Sequence, residues 1–373
     1  MSNNLLRWLI CFGLVVGNLS AAQASDLHFS GFVSQGYIRT TENNYLMESR
    51  QGSFDFTEAS LNLLYRPDPY FYLASQLLHR DVGDYEGGES NLSLDYLFIG
   101  SNVISLDSVQ MSLMVGRTKT PWGLYHDTRD VPFSHVGVLL DQSIYNDYHR
   151  RDILFSNGAK LDLKLYSSIG EFRFEWSYPF DLPGRDDNPT PEDLSVPGVT
   201  EVLESDLGRI QYARLNYFSP NNNWQLALSV IEGGESYYRL FIPPMAATQD
   251  TRSQNKYWLL SMVHRFDRWQ FVAEYGRSKA EYALQLITTT PPQTQETSGK
   301  TVSERYYVQA SYQLSSQWEL FARYGQSFAN IDDRDGSSYS VPEQAYFQDA
   351  VVGFDWYIDP SWVVKMELHK LRG

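Results

Sequence analysis

The chain has almost no cysteine and no long apolar segment. Its one cysteine, Cys11, lies near the N-terminus, so the rest of the chain cannot form disulfides or thiolate metal sites. No later stretch approaches the run of about eighteen apolar residues that a membrane-spanning helix requires. The net charge is −15, whereas nucleic-acid phosphates bind basic surfaces. These absences exclude a disulfide-stapled domain and helical membrane spans, and they argue against a nucleic-acid partner.

The N-terminus has the pattern of a secretory signal. Arg7 supplies a positive charge, Leu9–Gly17 a short apolar core, and Ala22-Gln23-Ala24 a small-residue cleavage site. The alternative is a retained helical anchor, but the apolar core is too short to span a bilayer as a helix. We therefore expect a signal peptide at residues 1–24 and one domain at residues 25–373.

Aromatic residues are abundant although the chain is hydrophilic on average. It contains 26 Tyr, 20 Phe and 9 Trp, with a mean hydropathy of −0.39. An exported, aromatic-rich chain without long apolar runs is typical of a secreted β protein or of a transmembrane β-barrel. The two differ in whether the apolar side chains point inward or outward.

Segments of alternating apolar and polar residues recur from His28 onward. In segment 153–167, for example, Leu161 and Leu163 alternate with Lys160 and Asp162, which is the pattern of a strand with one apolar face. Fifteen such strands are predicted, near 27–38, 53–65, 70–80, 91–100, 108–116, 153–167, 170–178, 207–218, 222–232, 255–266, 268–279, 302–315, 317–328, 346–358 and 361–370.

Short and long connections alternate strictly between these strands. Short turns on one rim and long loops on the other are typical of an outer-membrane barrel with periplasmic turns. Trp224, Trp269, Trp318 and Trp362 each begin a strand directly after a short turn. They would therefore form an aromatic girdle at one membrane interface. The fold class predicted is an all-β, transmembrane, antiparallel β-barrel.

The strand count does not close such a barrel. Single-chain bacterial barrels have an even number of strands, and fifteen are visible. The segment Glu367–Gly373 also lacks the terminal aromatic residue that bacterial barrels usually carry. Either one strand is missed, or a sixteenth strand follows Gly373. We favour the second explanation and expect sixteen strands.

The third long connection, residues 117–152, is irregular but rich in aromatic, aliphatic and charged residues. An irregular segment of this length is usually functional or disordered, and its apolar content argues against disorder. It begins in the run Gly116-Arg117-Thr118-Lys119-Thr120-Pro121-Trp122-Gly123-Leu124-Tyr125. We call residues 117–152 the third loop.

The layout of the whole chain from residue 25 resembles the Gram-negative general porins, and the run above resembles the porin group that includes phosphate-selective channels. The resemblance implies sixteen strands, a third loop folded into the lumen, a homotrimer and passive diffusion of small hydrophilic solutes or inorganic ions. It also implies residence in the lipid of the outer membrane, with no cofactor and no catalysis.

Two sets of charged residues are predicted to contact solutes. The alternation places residues of both signs in the lumen, among them Lys160, Lys164, Arg173, Glu175, Arg305, Arg323 and Glu319. The mixture predicts neither anion nor cation preference, and phosphate selectivity is not carried over from the resemblance. The third loop supplies Arg117, Lys119, Arg129, Asp130, Arg150 and Arg151 as candidates for a pore constriction.

The basic residues of the third loop have two interpretations. They could line the constriction and set a transverse field with opposing acids, or they could pair with the loop's own aspartates and fix it to the wall. The pattern does not choose between them.

No motif indicates catalysis or a metal site. His126, His135 and His149 are too widely spaced for a short ligand pattern. Ser253-Gln254-Asn255-Lys256 matches S-x-x-K only at the entrance of a predicted strand, without partner motifs. We therefore expect a channel and no enzyme, no metal and no catalytic residue. The alternatives left open are a lipase-like barrel hydrolase and a structural or adhesive barrel.

Overall fold

The computed structural model describes residues 9–16, 26–82, 92–147, 150, 154–181, 201–206, 208–242, 247–289, 291–339 and 341–373. Within them the chain is almost entirely β. Two short 3-10 turns lie at Pro132–Ser134 and Pro342–Ala345. Among the described residues, no helix has the length and apolarity needed to cross a membrane.

The strands, in chain order, are β1 Leu9–Val16, β2 Leu27–Thr40, β3 Ser53–Tyr65, β4 Phe71–Asp81, β5 Leu92–Ser105, β6 Val109–Lys119, β7 Phe155–Ser167, β8 Gly170–Asp181, β9 Glu201–Asp206, β10 Ile210–Phe218, β11 Trp224–Gly233, β12 Ser236–Ile242, β13 Ala247–Phe266, β14 Trp269–Thr289, β15 Pro292–Gln313, β16 Trp318–Phe328, β17 Tyr346–Asp359 and β18 Trp362–Arg372.

Sixteen of these strands form a closed antiparallel ring. Strands β1 to β8 pair in order, β8 pairs with β10, and β10 pairs with β11. Strand β11 then pairs with β13, β13 to β18 pair in order, and β18 pairs with β1. The fifteen strands expected from the alternation are all present in the ring, and the barrel prediction is confirmed.

The outer face of the ring is apolar and the inner face polar. In β11, Leu228 is 45% exposed on the outside, while the neighbouring Ser229 is fully buried inside. In β15, Val308 is 53% exposed and Gln309 is buried. The four tryptophans that begin β11, β14, β16 and β18 stand at one end of the ring. Exposed apolar side chains around a closed, hydrogen-bonded ring are the requirement for a barrel that spans a membrane.

The sixteenth position of the ring is filled from the N-terminal side. Strand β1 pairs with β2 on one side and with β18 on the other, and its residues Leu9–Val16 lie within the predicted signal peptide. The expectation that a strand after Gly373 fills this position is therefore corrected. Cleavage after Ala24 stays a prediction.

Strands β13, β14 and β15 are much longer than the alternation predicted. They contain 20, 21 and 22 residues, and their outward positions become polar beyond Trp258 and Tyr275. The hairpin between β14 and β15 therefore continues about fourteen residues, or about 46 Å, past Tyr275. Strands β9 and β12 extend the same sheet beside it. These segments were not predicted from the sequence. Strands β9 and β12 have only 6 and 7 residues, shorter than the alternation of about ten residues typical of membrane strands, and the extensions of β13 to β15 lie past the apolar band.

The third loop lies inside the barrel, as the resemblance implied. Strand β6 takes its first residues, up to Lys119, and the remainder packs against the inner wall. Trp122, Ile144 and Tyr145 are buried against inward residues of β13, β14 and β15, namely Leu259, Val263, Val272 and Tyr307. Leu139 packs near Ile38 and Phe56 on the opposite wall. The apolar core of the molecule is thus the contact between loop and wall.

The two faces of one strand give a direct test of this orientation. Leu113→Arg places a charge on the outer face of β6, in the middle of the apolar band, and should destabilise the folded barrel by about 2–4 kcal/mol. Ser112→Arg points into the lumen opposite Asp162 and should lower the free energy of unfolding much less than Leu113→Arg. Urea unfolding in lipid vesicles measures both, and equal losses would contradict the assigned faces.

Candidate functional site

Charged side chains of β17 and β18 hold the middle of the third loop through its backbone. The Glu367 carboxylate accepts hydrogen bonds from the amides of Val138 and Leu139 (3.2 Å for the latter). The Asp355 carboxylate accepts from the Gly137 amide at 3.1 Å. Lys365 Nζ donates to the His135 and Gly137 carbonyl oxygens at 2.5 and 3.0 Å. Loop amides that would otherwise be unsatisfied inside the barrel are therefore bonded to wall charges.

A similar arrangement holds the start of the loop against the opposite wall. Glu274 on β14 accepts from the Leu124 amide at 3.2 Å, from Tyr145 OH at 2.7 Å and from Tyr307 OH at 2.9 Å. Arg214 on β10 donates to the Gly123 carbonyl at 2.8 Å. Gly123 has a φ of +56°, a conformation that favours glycine. The loop is thus attached to strands on both sides of the lumen.

Ion pairs join the base of the loop to strands β5 and β6. Lys119 Nζ lies 2.7 Å from Asp95 and 2.8 Å from Asp130, and Arg150 lies 2.6 Å from Asp130. All four side chains are buried. Buried charges need such partners, because an unpaired charge in the interior is costly.

A second chain of charges links the loop to β4 and β3. Asp147 lies 2.9 Å from Arg129 within the loop and 3.1 Å from Arg80 on β4. Arg80 is also 2.7 Å from Glu58 on β3. Arg129 additionally donates to the Tyr145 carbonyl at 3.0 Å. The wall and the loop contribute alternating signs, so the cluster is close to neutral.

A third charge cluster lies on β7, β8 and β10. Glu175 is 3.1 Å from Lys160 and 2.6 Å from Arg214, and Arg214 also contacts Asp127 of the loop. Arg173 forms a bidentate pair with Asp162 at 2.9 and 2.8 Å. These residues come together because alternate positions of adjacent strands face one side.

The interior shifts the pKa values of loop residues in opposite directions. Burial raises the pKa of Asp130, but Arg150 and Lys119 outweigh burial and hold that pKa well below its usual range. Burial, only partly offset by Arg323, raises the pKa of Asp141 to about 6. Burial and nearby Lys365 lower the pKa of His135 to about 3, so this histidine is neutral at pH 7.

Four of the six predicted constriction residues lie in the loop-to-wall clusters. They are Lys119, Arg129, Asp130 and Arg150, and each is engaged in at least one ion pair. Arg117 is placed elsewhere, on the outer face of β6, because it shares the parity of Leu113 and Val115. Arg151 lies outside the described residues. Of the two interpretations of the basic residues, the observed pairs correspond to attachment of the loop.

The seven residues predicted to face the lumen occupy inward positions. Lys160, Glu175 and Arg323 are buried against the third loop and its partners, and Arg173 is half-buried beside Asp162. Glu319 lies 3.4 Å from Tyr357 OH. Arg305 lies over the Tyr257 ring, 5.5 Å from its centroid, and Lys164 points inward near the β7–β8 turn. The set therefore spreads along the lumen and does not form one cluster.

Several residues that hold the loop, among them Arg80 and His369, were not predicted from the sequence. Arg80 lies on the same face of β4 as Gln76 and Leu78, so the alternation along that strand predicts its inward position. His369 on β18 lies 2.9 Å from Asp349 and 2.6 Å from Glu367. That contact pairs neighbouring strands and could not be read without the register.

A narrow space separates the third loop from the wall of β2, β3 and β4. Its volume is about 50 Å³, enough for one or two waters. Arg80 and Glu58 line it from the wall, and Arg129, Asp130 and Asp147 line it from the loop. The space is therefore polar and presents both signs of charge at short range.

The residues weighed earlier for catalysis do not come together. Ser253 and Lys256 lie on opposite faces of β13, since they are three positions apart along a strand. His126 is buried in the loop, His135 lies near Lys365, and His149 is outside the described residues. Among the described residues, no group of three metal-binding side chains is present.

No protein-family model matches the chain, and no curated protein sequence matches it. Solved structures of outer-membrane proteins align along nearly its whole length. The outer membrane channel DcaP of Acinetobacter baumannii is 10% identical with a TM-score of 0.47, over 99% of this chain and 96% of that chain. An anion-selective porin from Comamonas acidovorans is 11% identical with a TM-score of 0.46, over 98% of both chains. Salmonella typhi OmpF, solved with daunomycin, is 8% identical with a TM-score of 0.44, over 98% and 97%.

The ion pairs of Asp130 predict a defined pH dependence. Asp130→Asn removes a buried partner of Lys119 and Arg150. It should lower the free energy of unfolding by about 3–5 kcal/mol at pH 7. Because the folded pKa of Asp130 is below its usual value, the wild-type stabilisation is complete above about pH 4 and is lost as pH falls through the folded pKa.

Urea unfolding at several pH values checks this expectation. The difference between wild type and Asp130→Asn should stay constant from pH 8 to about pH 5 and shrink in stronger acid. Asp162→Asn is the control, since its partner Arg173 has 30% of its side chain exposed and the loss should be smaller. A difference that disappears already at pH 6 would contradict the ion pairs described.

Proposed function

We propose that the protein is a porin-type channel for passive diffusion of small hydrophilic solutes or ions across the outer membrane, narrowed by the third loop. One observation carries the proposal: an irregular loop is held across a polar barrel interior by side chains on opposite walls.

Open polar spaces on both sides of the loop support a path through the barrel. On one side, a space of about 250 Å³ is lined by Ser143, Asn146 and Arg305. On the other, a space of about 420 Å³ is lined by Ser134, Arg265 and Glu319. Solutes would approach the loop from either space, and the narrow gap beside β2–β4 would be the smallest aperture between them.

The charges at this gap support size selection with orientation of polar solutes. Arg80 and Arg129 face Glu58, Asp130 and Asp147 over a short distance. Opposed charges in a narrow passage align dipolar solutes and disfavour apolar ones. Since most of these charges are paired with each other, the filter should depend on size more than on the sign of the solute.

The cellular setting is part of the same proposal. The N-terminal pattern supports export through a signal peptide at residues 1–24, and the apolar outer face supports residence in outer-membrane lipid. If residues 1–24 are cleaved, the position of β1 between β2 and β18 must be filled by another strand. Assembly as a homotrimer rests on the porin resemblance alone. The proposal involves no cofactor, metal or catalytic residue.

Planar-bilayer recording of the purified protein tests the channel directly. Discrete open-channel steps are expected. A folded barrel that inserts without conductance would overturn the proposal and favour a structural or adhesive barrel, whereas hydrolysis of ester lipids by that barrel would favour the lipase-like alternative.

Removal of the loop tests its part in the channel. Deletion of residues 122–148 should raise the single-channel conductance severalfold and admit larger neutral solutes, because the narrowest polar aperture is lost. Deletion of the hairpin tip, residues 283–297, is the control, since it lies beyond the apolar band and should leave the size cutoff unchanged. An unchanged cutoff in the loop deletion would show that the third loop does not limit passage.

A further inference from the structure

Arg117 stands on the outer surface of the barrel, at the rim from which the third loop departs. Its backbone pairs with Leu97 on β5 and Asn157 on β7. Leu97, Leu113 and Val115 share its outward direction and are exposed. The charge is therefore placed at the upper edge of the apolar band and not in the lumen.

Neighbouring groups hold the guanidinium of Arg117 in place. Its Nε donates to Asn157 Oδ1 at 3.0 Å, and Nη1 donates to the Leu94 carbonyl at 2.9 Å. Its Cζ lies over the Phe155 ring, 4.2 Å from the centroid. A guanidinium fixed on an aromatic face is pre-organised for a further anionic partner.

A second arginine has the same arrangement three strands away. Arg209 is exposed, donates from Nη1 to Tyr178 OH at 3.0 Å and lies 5.8 Å from the Tyr178 ring centroid. Tyr178 points outward from β8 beside the exposed Trp176 and Phe180. Both arginines thus stand over an outward aromatic ring.

Along the hydrogen-bonding direction of the sheet, the two arginines lie at nearly the same register. Arg117 is level with Asn157, and Asn157 is level with Asp181. Tyr212 is level with Ser177, so Arg209 is level with Phe180. The two residues lie three strand spacings apart, or about 14 Å.

These two arginines differ from the other outward cations of the rim. Lys256 lies 2.6 Å from Glu232, Arg277 lies 2.8 Å from Glu304, and Lys279 lies 2.5 Å from Glu281. Within the part of the chain that the structure describes, Arg117 and Arg209 form no ion pair with a carboxylate. Among the described residues, both guanidinium groups thus lack a direct carboxylate partner, and the charge of Asp95 acts on Arg117 without an ion pair.

We propose that Arg117 and Arg209 each bind the phosphate headgroup of an anionic membrane lipid whose acyl chains lie on the apolar face below them. Guanidinium groups form strong, directional hydrogen bonds with phosphate oxygens. The exposed side chains under the pair, Leu113, Val115, Phe174, Trp176 and Leu215, supply the surface for the chains. The arrangement selects a lipid because cation and apolar surface are continuous.

Retention of lipid by the purified barrel tests the proposal. The protein is incubated in micelles containing phosphatidic acid or phosphatidylcholine, and bound lipid is counted by native mass spectrometry. Phosphatidic acid should be retained preferentially, and Arg117→Gln and Arg209→Gln should each weaken its retention about fivefold. Lys256→Gln, an outward cation already paired with Glu232, is the matched control and should retain lipid as the wild type does.

Three results would overturn the proposal: equal retention in all variants, an equal loss in Lys256→Gln, or displacement of the lipid by inorganic phosphate alone, which would indicate a simple anion site. Heat-modified mobility on gels confirms that each variant is folded. Arg117→Lys, which keeps the charge but not the planar guanidinium, should fall between wild type and Arg117→Gln. Channel conductance is not needed for this readout, so the lipid site and the proposed channel are tested separately.

Discussion

The structure depends on satisfying the backbone of an irregular loop inside a closed barrel. A strand ring bonds its own amides, but a loop that enters the lumen brings donors and acceptors that water no longer reaches. Glu367 shows the solution most clearly. Its carboxylate accepts the Val138 and Leu139 amides and also contacts His369. Because wall charges take the place of water as hydrogen-bond partners of its backbone, the third loop crosses the lumen in a fixed conformation.

This constraint explains the many buried charges in a molecule that would otherwise be a water-filled ring. Each buried carboxylate that accepts a loop amide needs a nearby cation or further hydrogen-bond donors, such as the Tyr145 and Tyr307 hydroxyls at Glu274, and each cation needs a further acceptor. Lys365 therefore lies between Asp355 and two loop carbonyls, and Arg323 donates to the Leu139 carbonyl at 2.9 Å. In the proposed channel, the charges that act on a passing solute are the same charges that position the loop. Under that proposal, attachment and selectivity cannot be changed independently at these residues.

The sequence predicted the ring and the direction of its side chains because both follow from local alternation. The inward position of Glu175 and the outward position of Leu165 can be read one strand at a time. The site could be predicted only in part, since contacts such as Asp147 with Arg80 join residues 67 positions apart and depend on register. Arg117 was misplaced because strand β6 continues through it, whereas its sequence suggested the loop had begun. Strands β9 and β12 were missed because they have only 6 and 7 residues, too few to show the alternation of a membrane strand.

A crosslink between loop and wall tests the central claim, that the third loop stays attached across the lumen while the barrel conducts. A Cβ at Gly325 on β16 would lie 2.8 Å from Asp141 Cγ, close enough for a disulfide between cysteines at these positions. In the double variant Asp141→Cys/Gly325→Cys, oxidation should form the bond readily and leave the single-channel conductance equal to that of the reduced protein. A bond that fails to form, or a conductance that collapses on oxidation and returns on reduction, would show that the conducting barrel does not hold its loop in this way.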